Sequence, residues 1–297
     1  MLNTVTVIGL GMMGASLALA LKKRIPGVRI KAIVRRERYV ERALRQKIVD
    51  EIFVGPHPDA LKSDFVVIAV PVLSIIGVME EISPSIGKNT IVTDIGSVKK
   101  IIMDHANRIF GPSTQFIGSH PMCGSEKSGM EHGHADLYQG ATCILTSTEK
   151  TKADSVQKLA DFWKTAGCLV IEMNAAEHDR QVAIVSHLPH LLSTVLMNHI
   201  YDTGEEKKGI LGIAGPGFSD MTRLSAGNPS VWMDIFESNR DYLIEAVKNY
   251  RKSLDAVLSV LNKNDKERLF QYLKSGTERK QDLEKGETPV PRDDQKR

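Results

Sequence analysis

The sequence predicts an α/β domain on a sheet of roughly mixed character, followed by an all-helical domain. Three observations carry this. Short β-branched runs alternate with helix-period segments from residue 4 to about 172. The first run leads into Gly9-Leu10-Gly11-Met12-Met13-Gly14 and then into an alanine- and leucine-rich segment. After Asn174 the strand-like runs stop, and apolar stripes at helical spacing take over. Strands alternating with helices make βαβ units. G-x-G-x-x-G between a strand and a helix is the fingerprint of a Rossmann-type dinucleotide-binding domain. The expected organisation is a dinucleotide-binding domain at 1–173, a helical domain at 174–283, and a polar, proline-bearing tail at 284–297 that reads as disordered.

Composition narrows the function. The 297 residues are 42% hydrophobic, enough for substantial cores, and the net charge of +3 is spread along the chain. Neither a nucleic-acid stripe nor a membrane-surface patch is expected. No apolar run is long enough to span a bilayer. The N-terminus lacks a basic start, and fingerprint glycines interrupt its apolar stretch, unlike a signal peptide. Cys123, Cys143 and Cys168 are odd in number and suit a reducing compartment. A cytoplasmic protein is expected.

Along the chain, Thr4–Ile8 reads as a buried strand, and the segment after Gly14 as a helix. The three fingerprint glycines serve different ends. Gly9 makes the tight turn, Gly11 lets a pyrophosphate approach the backbone, and Gly14 lets helix and strand pack. The helix N-terminus offers unpaired N–H groups to phosphate. A second strand at 28–34 ends at Arg35-Arg36-Glu37. The arginines suit the 2′-phosphate of NADP, whereas Glu37 could serve the ribose of NAD with the arginines merely solvated. A helix is expected at 37–47 and a strand at 65–70. Pro71 follows that strand, where the chain usually passes over the cofactor. Further strands are expected at 90–95, 115–117, 141–146 and 168–172, with helices at 72–83, to about 109, and at 153–166.

Ser97 follows the fourth strand, as a helix N-cap or as a ligand contact; one serine does not choose. The strand at 115–117 delivers His120 to the same carboxyl edge. His120 sits in Gly118-Ser119-His120-Pro121-Met122-Cys123-Gly124-Ser125-Glu126-Lys127-Ser128-Gly129, a stretch whose composition suits neither helix nor strand. Its histidine could exchange a proton near neutral pH. Val182, Val185, Leu188, Leu192, Val195, Leu196 and Ile200 predict a helix over 176–200 with a kink at Pro189, which carries His187 and His190. Neither this pair nor His132 and His134 has a third metal ligand at supporting spacing, so no metal is expected. Residues 204–219 read as a glycine-rich loop. A long helix starting at Asn228-Pro229-Ser230 has a wide apolar face, in part available to a second subunit, and a short helix follows at 265–274.

Four motifs taken together resemble the prephenate dehydrogenase family, which includes the cyclohexadienyl dehydrogenases. They are Asp94-Ile95-Gly96-Ser97-Val98-Lys99, the stretch 118–129, Ser186-His187-Leu188-Pro189-His190, and Gly217-Phe218-Ser219-Asp220-Met221-Thr222-Arg223. The resemblance runs from the fingerprint to about residue 283. It implies oxidative decarboxylation of prephenate to 4-hydroxyphenylpyruvate, on the route to tyrosine, with NAD or NADP. His120 resembles the catalytic histidine and Ser97 the serine that orients it. His190 and Arg223 resemble carboxylate binders, with His187 beside them, and Glu126 matches a position that shapes the pocket. Trp232 resembles a tryptophan that reaches the pocket from the partner subunit, which implies a homodimer. Arg35-Arg36 in place of the usual acid favours NADP, and His190 favours prephenate over arogenate. A β-hydroxyacid dehydrogenase would need a lysine on the 176–200 helix, which has none. A cofactor-binding protein without turnover is a third reading.

Overall fold

A computed structural model gives the architecture, with residues 2–110, 115–125, 127, 129–202 and 207–286 described. The chain divides into two compact units, residues 1–243 and 244–297. The first unit opens with β1 (Thr4–Ile8), α1 (Met12–Arg24), β2 (Arg29–Val34), α2 (Val40–Arg45), β3 (Glu51–Val54) and α3 (Pro58–Leu61). Then come β4 (Phe65–Ile68), α4 (Val72–Ile82), β5 (Ile91–Asp94), α5 (Lys100–Ile109) and β6 (Gln115–Pro121). After β7 (Thr142–Thr146), α6 (Ala153–Ala166) and β8 (Leu169–Glu172) the chain turns helical. These helices are α7 (Ala175–Val182), α8 (Leu188–Asp202), α9 (Lys207–Gly212), α10 (Pro216–Thr222), α11 (Pro229–Ser238), α12 (Arg240–Asn262) and α13 (Lys266–Glu284).

The eight strands form one sheet in the order β3-β2-β1-β4-β5-β6-β7-β8. All neighbours are parallel except β6 and β7. Alternation along each strand builds a core on each face. Val5, Val7 and Val67 join Leu17, Leu21 and Trp163 of α1 and α6 on one face. Ile8, Val66 and Ile68 join Ile75, Met79 and Ile102 of α4 and α5 on the other. Ile235 of α11 completes that second cluster.

The sequence does not mark β3 or the one-turn α3: β3 is an edge strand that is only partly buried, and α3 is a single turn. β6 does not stop at Ile117: it runs through His120 to Pro121, pairing His120 with Ile144 of β7. Proline is tolerated there because it ends the strand. The described part of 204–219 is helical rather than loop, with α9 and α10. Pro216 supplies the first turn of α10, where a missing N–H costs nothing. The helix from Pro229 breaks at Asn239 before α12 begins. α13 continues to Glu284 past Gly276, with i,i+4 pairs Lys274–Glu278 and Lys280–Glu284 along its later turns. Of the expected tail, 287–297 lies outside the described residues.

The helix over 176–200 deviates most usefully. Residues Ala183–His187 form a π-turn between α7 and α8. The wider turn advances the helix by one residue and rotates the phase of everything after it. Val185 and Val195, expected inside, are exposed, while His187, His190 and Ser193 face inward.

Candidate active site

The glycine fingerprint has the geometry its sequence implies. Gly9 lies at φ +100°, in the left-handed region, and a side chain there would run into the Ala69 carbonyl. A Cβ on Gly14 would collide with the Gly9 carbonyl, so Gly14 permits the close packing of α1 on the turn. A Cβ on Gly11 would meet nothing within 4 Å, which leaves open space at the start of α1. Those backbone N–H groups and that gap fit a dinucleotide pyrophosphate. Leu10 and Met12 are buried beneath the turn, with Met13 partly covered. Pro71 stands at the start of α4, on the same carboxyl edge. Arg35 and Arg36 are exposed just past β2.

Strand order brings the motifs together. β5 and β6 are parallel neighbours, so the loop bearing Ser97 and the end of β6 bearing His120 share one edge. The chain beyond His120 then reaches the fingerprint, where the Ser125 hydroxyl lies 3.4 Å from the Met12 sulfur. β6 is pinned from both sides. The Ser119 hydroxyl bonds Thr93 Oγ1 at 2.6 Å and accepts from the Trp163 indole N–H at 2.9 Å. Below the edge lies a fully buried ion pair between Lys99 and Asp94. Lys99 Nζ also donates to the Ser119 carbonyl at 2.8 Å, and Asp94 accepts from Gly96 N–H at 2.7 Å. The Asp94–Lys99 motif is therefore a brace for β6.

His120 is buried, and the partner of its ring is not Ser97. Its Nδ1 lies 2.8 Å from Nε2 of His178, whose Nδ1 lies 2.7 Å from Asp179 Oδ1. Among the described residues Ser97 makes no hydrogen bond to His120, and it is not the cap of α5. Asp179 takes that role from 80 residues away: its carboxylate accepts the N–H groups of Lys99 at 2.7 Å and Lys100 at 2.9 Å. Burial, reinforced by His178, Lys99 and His187, holds the His120 imidazole well below its usual pKa. His120 is thus a neutral ring at neutral pH, able to accept a proton.

The π-turn sets the second half of the site. His190 stacks on Trp232 of its own chain, with centroids 3.5 Å apart and planes 16° from parallel. The stack joins α8 to α11 within the chain. Gly227 makes room for the stack, since a Cβ there would lie 2.7 Å from the Trp232 indole nitrogen. Burial lowers the pKa of His190 to about 4, so it meets an anion as a neutral N–H donor rather than a cation. His187 is fully buried and likewise lowered to about 4, chiefly by burial. Arg223 opens the short turn Arg223–Ala226. That turn is tied to α8 where Ser225 N–H donates to Ser193 Oγ at 3.0 Å, one turn from His190. Glu126 lies outside the described residues.

Three residues of this arrangement, His178, Asp179 and Asn239, carry no motif that marks them in the sequence. One signal was available for two of them: His178 and Asp179 lie one turn before Val182, on the side of its apolar stripe. A polar pair at a core position needs partners.

Family comparisons meet this geometry at both ends of the chain. Residues 17–172 match the family model "Prephenate dehydrogenase, nucleotide-binding domain", and residues 174–275 match "Prephenate dehydrogenase, dimerization domain". The chain belongs to the prephenate dehydrogenase family. It is a decarboxylating oxidoreductase that uses a nicotinamide dinucleotide. A prephenate dehydrogenase of Bacillus subtilis is 31% identical, over 98% of this chain and 79% of its own length. A crystal structure of the A. aeolicus prephenate dehydrogenase, in complex with hydroxyphenyl propionate and NAD+, superposes with a TM-score of 0.89 at 30% identity. That similarity covers 95% of this chain and 99% of the other. Synechocystis arogenate dehydrogenase follows at TM-score 0.81 and 28% identity, covering 94% and 99% of the two chains. Among the described residues no helix is long and apolar enough to cross a membrane.

Proposed function

We propose that the chain oxidises and decarboxylates prephenate with His120 as the base on the ring hydroxyl. The observation that carries this is the buried, neutral His120 at the carboxyl end of β6, on a segment that touches the glycine fingerprint. The bound dinucleotide would accept the hydride from the hydroxyl-bearing carbon. As positive character develops there, His120 takes the hydroxyl proton, work for which a positioned base contributes on the order of 10²–10⁴-fold. Loss of CO2 then leaves its electron pair in the ring, which becomes aromatic, and the proton returns to the phenol oxygen. Ser97, on the neighbouring strand end, orients the hydroxyl.

The two substrate carboxylates call for anion-binding groups. Arg223 supplies the formal charge and a planar fork. His190, His187 and Glu126 shape the remainder of the pocket, with Trp232 as its wall. Gly9, Leu10, Gly11, Met12, Met13, Gly14 and Pro71 form the cofactor cradle. Exposed Arg35 and Arg36 favour NADP, since a guanidinium pairs bidentately with a 2′-phosphate. The domain division at residue 173 follows the same reading. The chain works as a homodimer: exposed Val247, Leu254, Leu258 and Leu261 line one helix, and Phe270, Tyr272 and Leu273 the next.

Initial rates with prephenate and arogenate, each with NAD and NADP, test the reading. Prephenate with NADP should give the highest kcat/KM, and His120→Asn should bind cofactor but lose most of its kcat. Normal turnover by His120→Asn would remove the base. A preference for arogenate or for NAD would overturn the corresponding assignment.

A further inference from the structure

Resting on the reading of His120 as base, we propose that Asp179 is a positioning residue that sets the hydrogen positions of two site histidines. It leaves His120 with a bare Nε2 and gives His187 an Nε2–H. The two branches start from different atoms of one residue.

The first branch starts at the carboxylate. Both oxygens accept backbone N–H groups at the start of α5, so the carboxylate faces its neighbours as an acceptor. His178 Nδ1, 2.7 Å from Oδ1, must then carry a hydrogen. In a neutral ring that leaves His178 Nε2 with a lone pair. His120 Nδ1, 2.8 Å away, must donate to it. The hydrogen of neutral His120 is thereby committed to Nδ1, and Nε2 is bare. Burial pushes both rings toward neutrality, with Lys99 and His178 adding to the effect on His120 and Lys99 on His178. Asp179 and Asp94 oppose it at His178.

The second branch starts at the Asp179 carbonyl. Asn239 Nδ2 donates to it at 2.8 Å, which fixes the orientation of the amide. The same nitrogen lies 3.1 Å from His187 Nδ1, which must accept. The hydrogen of neutral His187 therefore sits on Nε2. That atom is buried and has no partner among the described residues. Asp179, His178 and His190 are the charged or titratable groups that act on this ring. A buried donor without an acceptor costs free energy until a ligand satisfies it. An anionic oxygen of the substrate, a carboxylate, is the matching group.

The arrangement also moves charge. When His120 Nε2 takes the hydroxyl proton, its Nδ1–H can pass to His178 Nε2, while His178 keeps Nδ1–H on Asp179. The positive charge then lies one ring closer to the carboxylate. The reverse transfers return the proton to the phenol oxygen.

The test is the tautomer itself. Full-length protein labelled with ¹⁵N-histidine gives long-range ¹H–¹⁵N correlations that distinguish the two tautomers. His120 and His187 are assigned through their Asn variants. The native spectrum should show His120 protonated on Nδ1 and His187 on Nε2 at about pH 7.5, where neither ring is charged. Either histidine with the opposite tautomer overturns its branch. In Asp179→Asn the amide nitrogen can face His178, reversing the chain of donors, and kcat should fall by roughly 10²–10⁴-fold. The KM for prephenate and the cofactor Kd should hold. Turnover of Asp179→Asn within about threefold of native refutes the proposal. If that variant does not fold, the native spectrum alone decides. Failure of the base reading shows separately, as normal turnover by His120→Asn.

Discussion

Replacing Lys99 with methionine keeps the length of the side chain but removes the charge that faces Asp94. Lys99 and Asp94 are both fully buried. In Lys99→Met the Asp94 carboxylate keeps the N–H groups of Gly96 and Ser119 but loses its cation. Breaking one side of a buried pair costs about 3–5 kcal/mol, because the remaining charge stays desolvated. With a urea slope of about 3 kcal/mol/M, the unfolding midpoint should fall by roughly 1–1.7 M. The double variant Asp94→Asn/Lys99→Met removes the orphan charge and should recover at least half of that loss. The single variant should also respond to pH in a defined direction. Burial already raises the Asp94 carboxyl against the opposing pull of Lys99, so removing Lys99 raises it further above its unfolded value. A raised group stabilises below its unfolded pKa, and that contribution is lost as pH rises through the folded pKa. The deficit of Lys99→Met should therefore narrow toward acid pH. Urea titrations of native, single and double variants at two pH values decide the matter. A double variant no more stable than the single one would refute the reasoning, since the penalty would then come from packing and not from charge.

Three other outcomes follow from the geometry. Activity should fall on the acid side as His120 becomes protonated, and its lowered pKa puts that limb of kcat/KM below about pH 6.5; a pH–rate profile with its acid limb above that value would contradict the burial argument. Gly11→Ala should fold normally yet bind the dinucleotide weakly, whereas Gly14→Ala should lose thermal stability because its Cβ meets the Gly9 carbonyl; calorimetry and cofactor titration on the pair separate the two roles. His187, lowered from 6.5 to about 4, stabilises the fold above about pH 6.5, and that contribution is lost as pH falls toward 4. Its full size is about 3 kcal/mol, and His187→Gln should remove the corresponding slope from a plot of unfolding free energy against pH.

The sequence by itself determined most of the sheet, the fingerprint and the family. Those signals are local: β-branched runs, glycines that only one backbone geometry needs, and motifs of a few residues. It also brought Ser97 and His120 to one edge, because parallel strands joined by helices end on the same side. What it could not determine was the partner of each side chain. Ser97 reads as a cap for α5 or as a ligand contact, and of the two the cap is taken by Asp179, 80 residues away. The apolar stripe of 176–200 suggests that Val185 faces inward, but one π-turn rotates His187 and His190 inward instead. His190 stacks on Trp232 of another helix, a pairing no local motif states. Each of these depends on contacts between distant segments, where a shift of one residue in helix phase changes which side chain is buried. The tertiary structure alone therefore decided what stands behind His120: a second histidine and a carboxylate, held in line by the first turn of a helix.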